Sequence, residues 1–277
     1  MKTEKERIVI GEIEQSILTI YTDKSNPILL IVHGGPGSPD RPLVCKYNSP
    51  LAETFTIVCW DQRCSGLSYT KESRNVPLST ELMLSDLKEI VEHLLNKYNK
   101  EKLFLAGHSW GAYLGIWFAD KYPEYLHYYI GTGQGISSRL DENEKYNFVL
   151  SEAKKRADQK AVSQLTEYGK PQDGVYPNKD AQAKDLVGSL IHKYGGYIHE
   201  NNSFSMKKYL LSYLNCYGIN LWRVIGGIKY SVKHLTPKMK KMISSPGFQS
   251  LRCPFSSYSA SGIISALSAQ RRNGLTV

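Results

Sequence analysis

The chain has 277 residues, a length that fits a single α/β core carrying an insertion. Hydrophobic residues make up 41% and charged residues 22%, which excludes global disorder. The formal charge of +9 is unevenly spread: all 26 acidic residues and 24 of the basic ones lie in residues 1–200, while residues 201–277 hold 11 Lys and Arg and no acid. No aromatic platform or recognised nucleic-acid module accompanies those lysines, so a nucleic-acid partner is not expected. The opening Met-Lys-Thr-Glu-Lys-Glu-Arg lacks the apolar run of a signal peptide, and no stretch of roughly 18 apolar residues is present to span a bilayer. Five cysteines without a CxxC pair or zinc-type spacing read as free thiols in a reducing cytoplasm. The expectation is a cytoplasmic protein with no metal, no cofactor and no membrane partner. The sequence does not define its oligomeric state.

In chain order, Ile8–Ile13 and Ser16–Tyr21 read as a β-hairpin. Ile28–Val32 and Phe55–Trp60 are continuous apolar runs, typical of strands buried on both faces of a mostly parallel sheet. Ser79–Tyr98 reads as a helix: Ser79 can cap it, and Leu84, Leu87, Val91, Leu94 and Leu95 recur at helical spacing. Leu103–Ala106 is a further strand, Trp110–Lys121 a helix, and Tyr128–Ile130 closes the series. Strands alternating with helices predict right-handed crossovers and a doubly wound α/β sheet. This defines a core over residues 1–135. Residues 136–244 read as a helical lid inserted over the sheet, rich in Lys and Tyr. Residues 245–277 are Ser-rich, without acid or His, and read as an incomplete return to the core.

Three blocks carry chemistry. Gly107-His-Ser-Trp-Gly111 matches GxSxG between a strand and a helix, the context that a nucleophile elbow requires. A sharp strand-to-helix turn there lifts Ser109 above the carboxyl edge of the sheet, at a helix N-terminus that favours developing negative charge. His33-Gly-Gly-Pro-Gly37, directly after a buried strand, is a glycine-rich turn able to offer a backbone N–H to an oxyanion. The second donor of such a hole is the N–H after the nucleophile, that of Trp110. Asp61-Gln-Arg-Cys-Ser-Gly-Leu-Ser68 is a polar loop at the same edge. In it Asp61 and Arg63 are expected either to pair and shape the pocket mouth or to serve as ordinary loop structure.

Together the three blocks resemble the proline iminopeptidase (prolyl aminopeptidase) family of α/β-hydrolases, whose hallmarks are similar to HGGPG, DQRGxGxS and GxSWG. The resemblance covers about residues 5–135, with Cys64 standing where the family usually has Gly. It continues more loosely through Lys193–Gly196 and Leu210–Tyr213. It implies an α/β-hydrolase fold with Ser109 as nucleophile and Gly35 and Trp110 as oxyanion donors. The substrate would be a small peptide or amide, and an acid in the lid, for which Glu200 is the candidate, would capture its α-amino group.

A serine nucleophile also needs a base and an acid to orient it, which in this fold follow the serine in the order acid, then His. Phe248–Pro254 resembles the family's run into the strand that bears the acid, yet Phe255–Val277 holds no Asp, Glu or His. The triad acid and His are therefore not found, and the last strand and helix are missing. His33 and His108 belong to motif backbones. His93, His127, His192, His199 and His234 read as solvated or packed. The expectation is that residues from about 255 onward are a shifted-frame tail or the remnant of a shortened gene. Sequencing the gene and its 3′ flank tests this. Two other readings stay open: a catalytically inactive α/β-hydrolase, and an esterase or amidase of the same fold.

Overall fold

The computed structural model describes residues 1–75, 77–133, 138–196, 206–243 and 245. The chain divides into two compact units, Met1–Gln134 with Leu210–Val277, and Gly135–Tyr209.

The first unit is built on a six-stranded sheet in the order β1-β2-β4-β3-β5-β6. β1 (Lys2–Ile10) and β2 (Ile13–Tyr21) form an antiparallel hairpin. Its two turn residues, Gly11 and Glu12, both take positive φ (54° and 64°). Such a turn matches the right-handed twist of the strands that it joins. The sequence pattern read Ile8–Ile13 as one strand and began the next at Ser16; the turn instead falls at Gly11–Glu12, so the first strand runs Lys2–Ile10 and the second starts at Ile13. β2 pairs antiparallel with β4 (Thr56–Asp61), and β4, β3 (Ile28–Val32), β5 (Leu103–His108) and β6 (Leu126–Thr132) are parallel. β3 and β4 have apolar side chains on both faces, which is why their sequences do not alternate.

A one-turn helix, α1 (Arg41–Leu43), follows the loop after β3. α2 (Thr80–Tyr98) starts at Ser79, whose hydroxyl accepts the amide of Leu82 at 3.0 Å, and stops at Asn99, which takes the left-handed conformation at φ 50°. Its buried stripe includes Met83, Leu87, Ile90, Val91 and Leu94, each worth about 1.5–3 kcal/mol against exposure. α3 (Trp110–Lys121) connects β5 to β6.

The second unit holds α4 (Ser138–Lys155), α5 (Gln159–Tyr168) and α6 (Asp180–Lys193) around a core of its own that includes Val149, Leu165, Val187 and Leu190. Asp158 caps α5 by accepting the amide of Ala161, and it also accepts Lys193 Nζ at 2.6 Å and Tyr194 Oη at 2.9 Å. These donors, Lys193 first among them, hold its carboxyl down at about 2.

α7 (Met206–Tyr217), from Leu210 onward, and α8 (Leu221–Ile243) group with the sheet unit. The helices that the sequence presents as one segment, 136–244, thus fall into two sets. The stretch read as an incomplete return, 245–277, lies outside the described residues apart from Ser245.

Candidate functional site

The loops after β3 and β5 are neighbours because their strands are, with Val32 opposite Gly107 in the parallel register. Ser109, between β5 and α3, has φ 51° and ψ −115°, a region that a residue with a side chain rarely adopts. Its amide donates to Thr132 O at 2.9 Å and its carbonyl accepts the amide of Ala112 at 2.9 Å, so both sides of the turn are fixed. The flanking glycines are required by contact: a Cβ on Gly107 would overlap the carbonyl of Gly111, and one on Gly111 would overlap that of Val32. A Cβ on Gly34 would stand 3.1 Å from that of Ser109, so the glycine-rich turn lies directly against the serine. Gly35 is exposed, with φ 116° and a cis bond to Pro36. Trp110 is the first residue of α3, so its amide has no partner within the helix. Its indole Nε1 donates to Gln62 Oε1 at 3.0 Å, which ties the elbow to the loop after β4.

His33 is locked into the same scaffold. The amide of Gln62 donates to its Nε2 at 3.2 Å, which leaves the ring proton on Nδ1 to donate to Gly34 O at 2.9 Å. The side-chain amide of Gln62 donates to the carbonyl of His33 at 2.8 Å. Burial pushes the imidazole down to about 4, so it is neutral and both nitrogens are engaged. Its geometry is that of a loop fastener and not of a base for Ser109.

The Asp61–Ser68 loop corrects one expectation: Asp61 and Arg63 do not pair with each other. Asp61 Oδ1 faces Arg41 Nε at 2.8 Å and accepts Tyr217 Oη at 3.0 Å, while Oδ2 accepts the amide of Leu67 at 2.8 Å. Arg63 forms a two-pronged pair with Asp86 on α2, at 2.7 and 2.8 Å, and donates to Gly11 O at 2.8 Å in the hairpin turn. All four charged side chains are buried, and breaking a pair of this kind by removing one partner costs about 3–5 kcal/mol. Cys64 sits at φ 59°, a conformation that glycine adopts without strain and other residues do not. Burial pushes its thiol up to about 11.

Ser109, Gly35 and Trp110 are thus brought to one edge of the sheet, while Glu200 lies outside the described residues. Among the described residues no histidine nitrogen is bonded to the hydroxyl of Ser109. His108 Nδ1 faces Thr132 Oγ1 at 3.2 Å, His127 lies against Phe104, and His234 lies against Tyr230. No group of three or more metal-binding side chains occurs among the described residues, and no helix there is long and apolar enough to cross a membrane. The sequence reading passed over Asp40, three residues past the glycine-rich turn. Its carboxyl is pushed up to about 7, chiefly by burial, with the nearby charge of Asp61 adding to the effect and the amide of Gly34 opposing it. The available signal was an acidic residue set among Pro39, Pro42 and Gly37 in a loop that packs inward.

Residues 27–173, more than half of the chain, match the model of a family described as the alpha/beta hydrolase fold, and the chain belongs to that family. Within it, the similarity runs to aminopeptidases and proline iminopeptidases. A protein named "Probable aminopeptidase YbaC" from Bacillus subtilis (strain 168) is 30% identical over 254 residues, 88% of this chain and 76% of that protein. A "Probable proline iminopeptidase" from Streptomyces coelicolor is 31% identical over 116 residues, 40% of this chain and 34% of that protein. A "Proline iminopeptidase" from Clostridioides difficile is 28% identical over 140 residues, 49% of this chain and 45% of that protein. The matches to these two iminopeptidases thus span less than half of their length.

Proposed function

We propose that the protein is a cytoplasmic serine hydrolase that releases an N-terminal residue, proline by preference, from small peptides through an acyl-enzyme on Ser109. The observation that carries this reading is the strained, positive-φ backbone of Ser109 at the β5–α3 junction, pressed against the glycine-rich turn. In the reaction Ser109 Oγ attacks the carbonyl carbon and the carbonyl oxygen takes the negative charge. The amides of Gly35 and Trp110 stabilise that charge, each lowering the barrier by roughly 3–4 kcal/mol. The proton that Ser109 Oγ gives up goes to the leaving peptide amine, and water then hydrolyses the ester, releasing the free N-terminal residue and returning a proton to Oγ. Glu200 is assigned the substrate's ammonium group. No cofactor takes part in this scheme.

A second reading has its own support. With His33 neutral and fully bonded, and no described histidine on Ser109, the site has the form of one that binds acyl compounds without turning them over. A fluorophosphonate probe separates the two. Labelling that disappears in Ser109→Ala, together with release of proline from a prolyl-coumarin amide that falls by about 10⁴-fold or more in the variant, supports the hydrolase. Soluble, folded protein that neither labels nor turns over supports the binding protein. Turnover of p-nitrophenyl esters but not of the prolyl amide identifies an esterase.

A further inference from the structure

A groove of about 390 Å³ opens where the β1–β2 hairpin, the segment after the Asp61–Ser68 loop and the start of α8 meet. All of its lining residues belong to the sheet unit. It lies by the outer hairpin, whereas Ser109 follows β5 near the other edge of the sheet. We propose that this groove binds an organic phosphate, with the phosphoryl group held by Arg7, Arg74 and Arg223 and its attached ring laid against Trp222.

The charge balance favours an anion. Four cations line the groove, Lys71 being the fourth, against the carboxylates of Glu14 and Glu72. The two carboxylates offset two of the four cations and leave two in excess. Glu14 approaches Arg7 only at 3.5 Å, and both side chains are open to water. Glu72 is turned back on its own backbone amide and on Thr70, the first contacts that lower its carboxyl, and the charges of Lys71 and Arg74 add to them. Among the described residues Arg74 and Arg223 have no carboxylate within ion-pair distance. Each is instead aimed by one neutral bond, Arg74 Nε to Thr70 O at 3.2 Å and Arg223 Nε to Tyr69 O at 3.0 Å. Such anchoring orders the guanidinium and leaves its terminal N–H groups for a planar or tetrahedral oxyanion. Arg223 also occupies the first turn of α8, the end of a 23-residue helix where a cation is disfavoured and an anion favoured. Burial and the nearby Arg7 lower its affinity for its proton, Glu72 opposes them in part, and a bound anion relieves the remaining cost.

The aromatic residues favour an anion carrying a ring. Trp222 is 63% exposed, with its ring edge-on to Tyr69 at 6.5 Å. Arg223 lies 5.8 Å from the indole and Arg74 5.2 Å from the Tyr69 ring, so guanidinium and aromatic groups alternate along the wall. The volume falls in the ordinary range for a small-molecule site. Three guanidiniums match a dianion better than a single carboxylate.

Calorimetric titration of the full chain at low salt with 1-naphthyl phosphate, inorganic phosphate and 1-naphthol tests the assignment. Naphthyl phosphate is expected to bind saturably, with inorganic phosphate competing at lower affinity and naphthol at least about tenfold weaker. Arg223→Gln and Arg74→Gln should each weaken naphthyl phosphate by about tenfold. Arg74→Gln should melt like the parent chain because its side chain is exposed, and Arg223→Gln, which loses a partly buried bond to Tyr69 O, is titrated at a temperature at which its melt shows it folded. Ser109→Ala should leave the affinity unchanged. The proposal is overturned if naphthol binds as tightly as its phosphate, if both arginine variants bind like the parent, if no saturation occurs, or if Ser109→Ala abolishes binding, which would place the ligand at the serine instead.

Discussion

Asp40 shows how one partly buried carboxyl reports on the loop around the serine. Its pKa of about 7 in the folded chain lies above the ordinary carboxylate value of 3.8, so the folded state holds the proton more tightly than the unfolded state does. The stabilisation is therefore complete at pH values below 3.8, is lost as pH rises toward 7, and stays lost above it. Asp40→Asn removes the titration and keeps the shape. The variant should be more stable than the parent at pH 8 by about 2–4 kcal/mol, with the difference vanishing near pH 4. Urea unfolding midpoints across that range measure it, and a pH-independent difference would show that the carboxyl is not strained by burial. The charged residues nearby show what the sequence conceals at this scale. Arg63 stands two residues from Asp61, and nearness in sequence makes that pair the natural reading, but Asp61 is taken by Arg41 and Tyr217 while Arg63 reaches away to Asp86 and Gly11 O. The true partner, Asp86, is 23 positions on, within the apolar stripe of α2 between Met83 and Ile90. An acid on a helix's buried face requires a buried cation, and that was the legible sign.

At the scale of elements, the elbow and the glycine-rich turn could be read because each motif follows a strand that is buried on both faces, and periodicity identifies such strands directly. The helix that packs on these loops could not be read in the same way. α8 buries Val224, Gly227, Ser231 and Leu235, a helical stripe whose middle is small. A Cβ on Gly227 would stand 2.7 Å from Cys64 O and 3.1 Å from the Cα of Ser65, and one on Gly37 would stand 2.6 Å from the Cβ of Ser231. Ser231 Oγ also donates to Cys64 O at 3.2 Å. Small residues in a helix signal close approach, but not to what, so a segment that looked like lid helix turns out to clamp the core loops. Gly227→Ala gains about 1 kcal/mol of helix propensity and meets backbone that has no room to retreat. A net loss of about 1–3 kcal/mol is expected. Gly188→Ala on α6, where nothing lies within 4 Å, should instead gain about 0.5–1 kcal/mol. Thermal melts of the two variants should move in opposite directions, and a stabilised Gly227→Ala would mean that α8 does not press on the loop.

For the whole molecule, the +9 charge is a local property. It sits in residues 201–277, and part of it, Arg223, meets Arg7 and Arg74 from the N-terminal third to line the groove. In the sequence the change from strand runs to helices falls near residue 135; the second compact unit runs Gly135–Tyr209, and its end lies between segments of similar composition. The two units have separate apolar cores, one around the sheet and one joining α4, α5 and α6. Separate cores predict separable unfolding, and the tryptophans provide the means to see it. All four, Trp60, Trp110, Trp117 and Trp222, lie in the sheet unit, so indole fluorescence follows that unit alone, whereas far-ultraviolet dichroism follows the helices of both. Leu165 is fully buried in the helical core, and Leu165→Ala should cost that core about 2–5 kcal/mol. The dichroism transition should then begin at lower denaturant and separate from the fluorescence transition, whose midpoint stays put. If the two transitions shift together by the same amount, the chain unfolds as one cooperative body.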